Sequence, residues 1–146
     1  STRMSHMENC PLLREDILVA VPLTHELATC EVIDLIEVEK ESFIALSKGK
    51  PLRELTDLFC QVAGFVPQVV CESDNPAMVQ GLIKANLGIA FVPKYSWGHL
   101  ENIALLKVRE PICERRLFLS WPTNRYETLA VKLFKDFAVN YFRMYG

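Results

Sequence analysis

The sequence has no excess of charge of either sign. Its 16 Lys and Arg stand against 18 Asp and Glu, a formal net charge of −2, and the two signs are interspersed along the chain. A polyanion-binding face needs clustered cations, so this stretch is not expected to hold DNA by itself. No apolar run approaches the ~18–20 residues that a bilayer span needs. The opening Ser1 to Met7 lacks the apolar core of a secretory signal. Neither membrane insertion nor export is expected, and a cytoplasmic location follows. The five cysteines (Cys10, Cys30, Cys60, Cys71 and Cys113) form no C-x-x-C pair, and no His/Cys group has zinc-ligand spacing. An odd count without pairing suits a reducing compartment, with each cysteine a small hydrophobe. The chain also lacks repeats, low-complexity segments, a phosphate-binding loop and an activated nucleophile. His25 and His99 have no Ser, Cys or carboxylate partner in a recognisable arrangement, and Trp97 and Trp121 read as core or interface residues. The expectation is a protein that is not an enzyme and needs no cofactor or metal.

Half of the 146 residues are apolar, the ordinary share for a folded protein, and the length suits one domain or two small lobes sharing a core system. Ile17 to Val21 is a continuous apolar run stopped by Pro22, the pattern of a strand covered on both faces. Phe43 to Leu46, Val69 to Cys71 and Gly88 to Val92 repeat that pattern. Two helical segments lie between them. Pro51 opens the first, Leu52, Leu55, Phe59 and Val62 recur on one face, and Gly64 ends it. Asn75 caps the second, Pro76 suits its first turn, and Met78, Val79, Leu82 and Ile83 form its apolar stripe, with stop signals at Asn86 and Gly88. Alternating strands and helices at this spacing describe βαβ units and a parallel sheet. The fold class expected is α/β, a lobe with a parallel-rich sheet flanked by helices. Tyr95 to Asn102 reads as a turn or short irregular helix. Ile103 to Val108 and Leu117 to Trp121 read as strands, and a last helix starts near Asn124 with Glu127 completing a capping box. Ala130, Leu133, Phe134, Phe137 and Tyr141 mark the face of that helix to be buried, and two strands alone would cover it poorly.

The landmarks Glu15 to Pro22, His25 to Ala28, Ile33 to Leu35, Phe43-Ile44, Leu52-Arg53, Gly64, Pro67, Glu72 and Leu87 to Pro93 occur in an order and spacing that resemble the effector-binding domain of LysR-type transcriptional regulators. The resemblance runs from about Leu13 to Phe142. Glu26 departs from it, standing where the family usually has Pro after the His. The resemblance implies a sensor of two α/β lobes like a periplasmic binding protein, with Ile17–Val21 as the outgoing hinge strand and Ile103–Val108 as the return. Residues 1–12 would be a disordered or tag-like lead-in, 13–105 the second lobe with its hinge strands, and 106–146 the C-terminal part of the first lobe. It further implies a small-molecule effector, a homodimer, and contact with DNA only through a domain that this sequence does not contain. Cys60 matches the second cysteine of the peroxide-sensing branch, but Pro51 stands where the reactive first one would be, so Cys60 is expected to pack within its helix. A stand-alone solute-binding protein of the same architecture is the main alternative, and an enzyme such as a dehydratase on this layout is a distant one.

In open α/β sheets ligands bind beyond the carboxyl ends of strands, at helix N-termini. Ser47, Lys48 and Gly49, and then Ser73 and Asn75, occupy two such places, and a hydroxyl, a cation and a glycine suit a carboxylate or other anion. Asp74 would repel an anion and is expected to point away. Arg53, in the first turn of its helix, is either a ligand clamp or a surface charge. The plainer readings are a turn with Lys48 solvated and Asn75 as a helix cap.

Overall fold

The computed structural model describes residues 7–122, 133–134 and 136–141. The chain forms two compact units, one of residues 16–114 and one from its two ends, up to Glu15 and from Arg115 onward.

In the unit of residues 16–114, the strands are β1 (Met7–Pro22, which enters from the other unit), β2 (Val32–Ile33), β3 (Ser42–Ala45), β4 (Gln68–Glu72), β5 (Ala90–Pro93) and β6 (Ile103–Val108). The helices are α1 (Pro51–Ala63) and α2 (Pro76–Lys84), with a 3-10 turn at Leu35–Val38. One sheet has the order β2-β6-β1-β5. β3 and β4 pair in parallel, and a parallel bridge from Phe43 to Ile89 joins them to the start of β5. The strand–helix–strand pattern therefore gives the expected parallel pairing for β3 and β4. β1 differs, because it runs antiparallel to both β5 and β6. A continuous apolar run reports burial on two faces and is silent on strand direction.

The burial on two faces is plain in β1. Ile17, Val19 and Val21 enter one apolar cluster with Phe43, Phe59, Cys60 and Leu106, while Leu18 and Ala20 enter another with Ile44, Val79, Ile83 and Val92. Side chains alternate faces along a strand, so five consecutive apolar residues feed two cores at once. α1 lies over the first cluster and α2 over the second. Pro51 takes the first position of α1, and Gly64, at φ 104°, closes it in the left-handed conformation that glycine adopts without penalty. The Gly64 and Phe65 amides donate back to Gln61 and Cys60, capping the last turn. The buried face of α1 is Leu52, Arg53, Thr56, Phe59 and Cys60. This corrects the expected stripe, since Val62 is 66% exposed. A polar residue, Thr56, holds the i+4 place, and apolarity alone pointed one column over. In α2, Val79 and Ile83 are buried whereas Met78 is exposed.

In the other unit, β7 (Glu114–Pro122) pairs with β1. Glu15 is fully buried and accepts from Arg115 Nε at 2.8 Å. Residues 133–134 and 136–141 are helical; Leu133, Phe134, Phe137 and Tyr141 are exposed, and Ala138 is buried. The lead-in Ser1 to His6, the expected helix start at Asn124 with Glu127, and Ala130 lie outside the described residues.

Candidate functional site

β3 and β4 lie side by side and parallel, so both chains turn off at the same end of the pair. Each then passes through a short loop into a helix, β3 through residues 46–50 into α1 and β4 through residues 73–75 into α2. This brings Ser47, Lys48 and Gly49 next to Ser73 and Asn75. The Ser73 amide donates to Ala45 O at 2.9 Å. Asp74 then reaches across, its two carboxylate oxygens accepting from the Ser47 amide and the Ser47 hydroxyl, each at 2.9 Å. Asp74 is thus turned toward the other loop, contrary to the expectation that it would point away. The cause is local: two donors on one residue match the two oxygens of a carboxylate. These two hydrogen bonds, backbone first, hold the Asp74 carboxyl below its ordinary range, with a smaller push from Lys50.

Lys48 is exposed, and Gly49 has open space where a side chain would stand. Asn75 caps α2, its Oδ1 accepting from the Met78 amide at 3.1 Å, and Ser73 Oγ accepts from the Asn75 amide at 3.2 Å. α1 differs, for its cap position is Lys50 and no side chain accepts from its first turn. A helix end of this kind carries partial positive charge and unsatisfied N–H groups.

Of the two readings of Arg53, the structure overturns the surface charge. It is 6% exposed, so it is not a surface charge. Its Nη1 donates to Leu46 O at 2.7 Å and Glu72 Oε1 at 3.1 Å, and its Nε donates to Asp57 Oδ2 at 3.0 Å. Burial works against its charge, but the Glu72 hydrogen bond and Asp57 outweigh burial and raise its pKa above the ordinary value. Sequence reasoning missed Asp57 and Glu72 as partners. Asp57 was legible as the i+4 neighbour of Arg53; Glu72 was not, because that pairing depends on β4 lying beside β3.

The other singled-out residues lie elsewhere. His25 sits in the turn after β1, where its Nδ1 accepts from the Leu27 amide at 3.0 Å. Its Nε2 therefore carries the proton and donates to Glu41. An opening of about 290 Å³ lies beside this pair, lined by Thr24, His25, Glu41 and Asn86 to Ile89. It adjoins Glu41 and Ser42, at the start of β3, away from the two loops. His99 is exposed, and Trp97 packs on the second apolar cluster. Cys60 lies buried within α1, as expected, and burial, then Asp57 and Cys113, push its thiol pKa up to about 12. The cavity lined by Phe43, Leu46, Leu52, Thr56, Val69 and Trp97 measures about 20 Å³, little more than one water. A metabolite is not enclosed there. Among the described residues no group of three or more His, Cys, Asp or Glu is placed to hold a metal ion. No helix among them is long and apolar enough to cross a membrane.

Two βα loops at the carboxyl end of a parallel pair, on a sheet fed by antiparallel connecting strands, belong to an α/β fold of the periplasmic-binding-protein type. The model of the LysR substrate binding domain matches residues 2–143. The chain belongs to that family, the effector-binding domains of LysR-type transcriptional regulators. It is 30% identical over 131 residues to the uncharacterized HTH-type transcriptional regulator YybE of Bacillus subtilis (strain 168), covering 90% of this chain and 45% of that protein. It is 27% identical over 143 residues to the transcriptional dual regulator GltC of the same organism, covering 97% of this chain and 48% of that protein. The solved effector-binding domain of QuiR in complex with shikimate matches with a TM-score of 0.81 at 30% identity, covering 99% of this chain and 69% of that chain. The chain spans about half the length of the curated relatives it matches. The family is one of transcriptional-regulator domains and not of enzymes.

Proposed function

We propose that this domain senses a small carboxylate or related anion at the loops Ser47–Gly49 and Ser73–Asn75, and passes the bound state to a winged helix-turn-helix encoded in the same reading frame. The observation that carries the reading is the juxtaposition of the two loops, one of them leading into a helix end with no side-chain cap. Such an end, with Lys48 beside it, favours negative charge. The Asp74 carboxylate already takes the Ser47 amide and hydroxyl, so an effector anion must meet the donors beyond them. The shikimate held by the QuiR domain is a carboxylate, which supports the same ligand class. The domain itself does no chemistry and works in the cytoplasm with the transcription apparatus. The effector acts by binding one conformational arrangement of the sensor more tightly than another, which is the only way a ligand shifts an equilibrium. The test is a calorimetric screen of small carboxylates, shikimate included, on this chain and on the complete reading frame. At least one should bind, and Lys48→Glu should weaken it about tenfold, or ~1.4 kcal/mol. If no carboxylate or other small anion binds either form, the reading fails.

We infer also that two copies pair through α1 and β4. Leu58 and Val62 on the outer face of α1, Val66 in the turn after it and Val70 on β4 are all about half exposed or more. Among the described residues β4 pairs with β3 alone, leaving its other edge open. An open strand edge beside apolar side chains is a surface that a second copy covers well.

A further inference from the structure

The two candidate loops leave their strands after Leu46 and Glu72, and one buried side chain reaches both of those residues. Arg53 Nη1 bridges Leu46 O and Glu72 Oε1, while Nε is anchored on Asp57 one turn along α1. Leu46 immediately precedes Ser47, and Glu72 immediately precedes Ser73. The β3–β4 ladder shifts register between Phe43 and Ile44 and then resumes through Ile44–Cys71 and Ala45–Glu72 to the strand ends. Past those pairs, where the chains leave the ladder, they are tied by the Ser73–Ala45 backbone bond, by Arg53, and by the Asp74–Ser47 contacts.

We propose that Arg53 is a positioning residue, fixing the separation of the Ser47–Gly49 and Ser73–Asn75 loops through Leu46 and Glu72 without touching the effector. Guanidinium chemistry suits the task. Its donors lie in one rigid plane, so a single group holds a carbonyl, a carboxylate on a neighbouring strand and a carboxylate on its own helix at fixed angles. A lysine keeps the charge but offers a flexible point donor. With it, the strand ends are expected to drift, and the Asp74 carboxylate to lose its match to the two donors of Ser47. The functional consequence rests on reading these loops as the effector site, but the geometry does not, and it is tested without any effector.

The experiment compares the wild-type chain with Arg53→Lys by NMR. It records the titration of the Asp74 side-chain carboxyl and the hydrogen exchange of the Ser47 amide, with the core amides of Val19 and Leu106 as internal standards. In the variant the Asp74 titration should move upward toward the ordinary carboxylate range. Ser47 should exchange roughly tenfold faster, as the loss of one hydrogen bond implies, while the core amides keep their protection. A variant that melts earlier yet leaves Asp74 and Ser47 unchanged would overturn the proposal, making Arg53 a general brace. So would equal loss of protection everywhere. If Arg53→Lys does not fold, Glu72→Gln weakens one spoke of the same contact and is read by the same two signals. A carboxylate panel that fails to bind would sink the effector reading and leave this result standing.

Discussion

Gly88→Ala should destabilise the domain strongly, while the same change at Gly81 should not. A Cβ built on Gly88 would stand 2.7 Å from Ser42 O, 3.2 Å from Ser42 C and 3.4 Å from Ile44 Cγ1. Two of these are backbone atoms of β3 and cannot swing aside. They are also clamped, since the Ile89 amide donates to Ser42 O at 2.9 Å and the Ile44 amide donates to Ile89 O at 2.8 Å. The added methyl must push β3 from the start of β5 and weaken both bonds. Overpacking of a tight site costs ~1–3 kcal/mol and each of the two weakened hydrogen bonds ~0.5, so the total is about 2–4 kcal/mol. For a chain of this size that lowers Tm by roughly 6–12 °C. Gly81 sits inside α2 with nothing within 4 Å of its Cβ position, so Ala there should stabilise by ~0.5–1 kcal/mol through helix propensity. Urea denaturation and calorimetry on both variants decide the matter. A Gly88→Ala protein as stable as wild type, or a Gly81→Ala protein the weaker of the two, would refute the account of how β3 is held against β5.

Thiol labelling of the native chain near neutral pH should modify the exposed Cys30 and spare Cys60 and Cys113, which react only on unfolding; peptide mass mapping reads this directly. Both buried thiols have folded-state pKa values of about 12 against the ordinary 9.0. The folded state therefore holds protons that the unfolded state gives up, and stability should fall as pH rises from about 9 toward 12 while showing no such slope below 9. In the pairing surface, Val62→Glu should shift a light-scattering dimer toward monomer while changing the monomer's unfolding free energy by no more than ~0.5 kcal/mol, since the residue is exposed. An unchanged dimer would remove α1 from the interface.

Much of the fold was legible because each element announces itself locally. Pro51 and Gly64 bracket α1, Asn75 and Pro76 start α2, and the run Ile17–Val21 marks a strand buried on both faces. The direction of β1 was not legible, because its neighbours β5 and β6 lie about 70 residues or more away in sequence and nothing local encodes that pairing. At the site, spacing alone put Ser47–Gly49 and Ser73–Asn75 before helices. The contacts that organise them run across long separations, Ser47 to Asp74 and Arg53 to Glu72. A charged residue in a helix's first turn reads as solvated unless the sequence reveals the acceptors around it. For Arg53 one of the three acceptors, Glu72, becomes a neighbour only after β3 and β4 pair, and Leu46 O only once the β3–α1 loop folds back.

The most direct test of the central claim is a titration of a small-carboxylate panel into isotope-labelled protein, followed amide by amide. At least one carboxylate should shift the amides of Ser47, Lys48, Gly49, Ser73 and Asn75 together and saturably, with one dissociation constant. If no member does so, or if the saturable shifts cluster instead around Thr24, His25 and Glu41, these two loops are not the effector site.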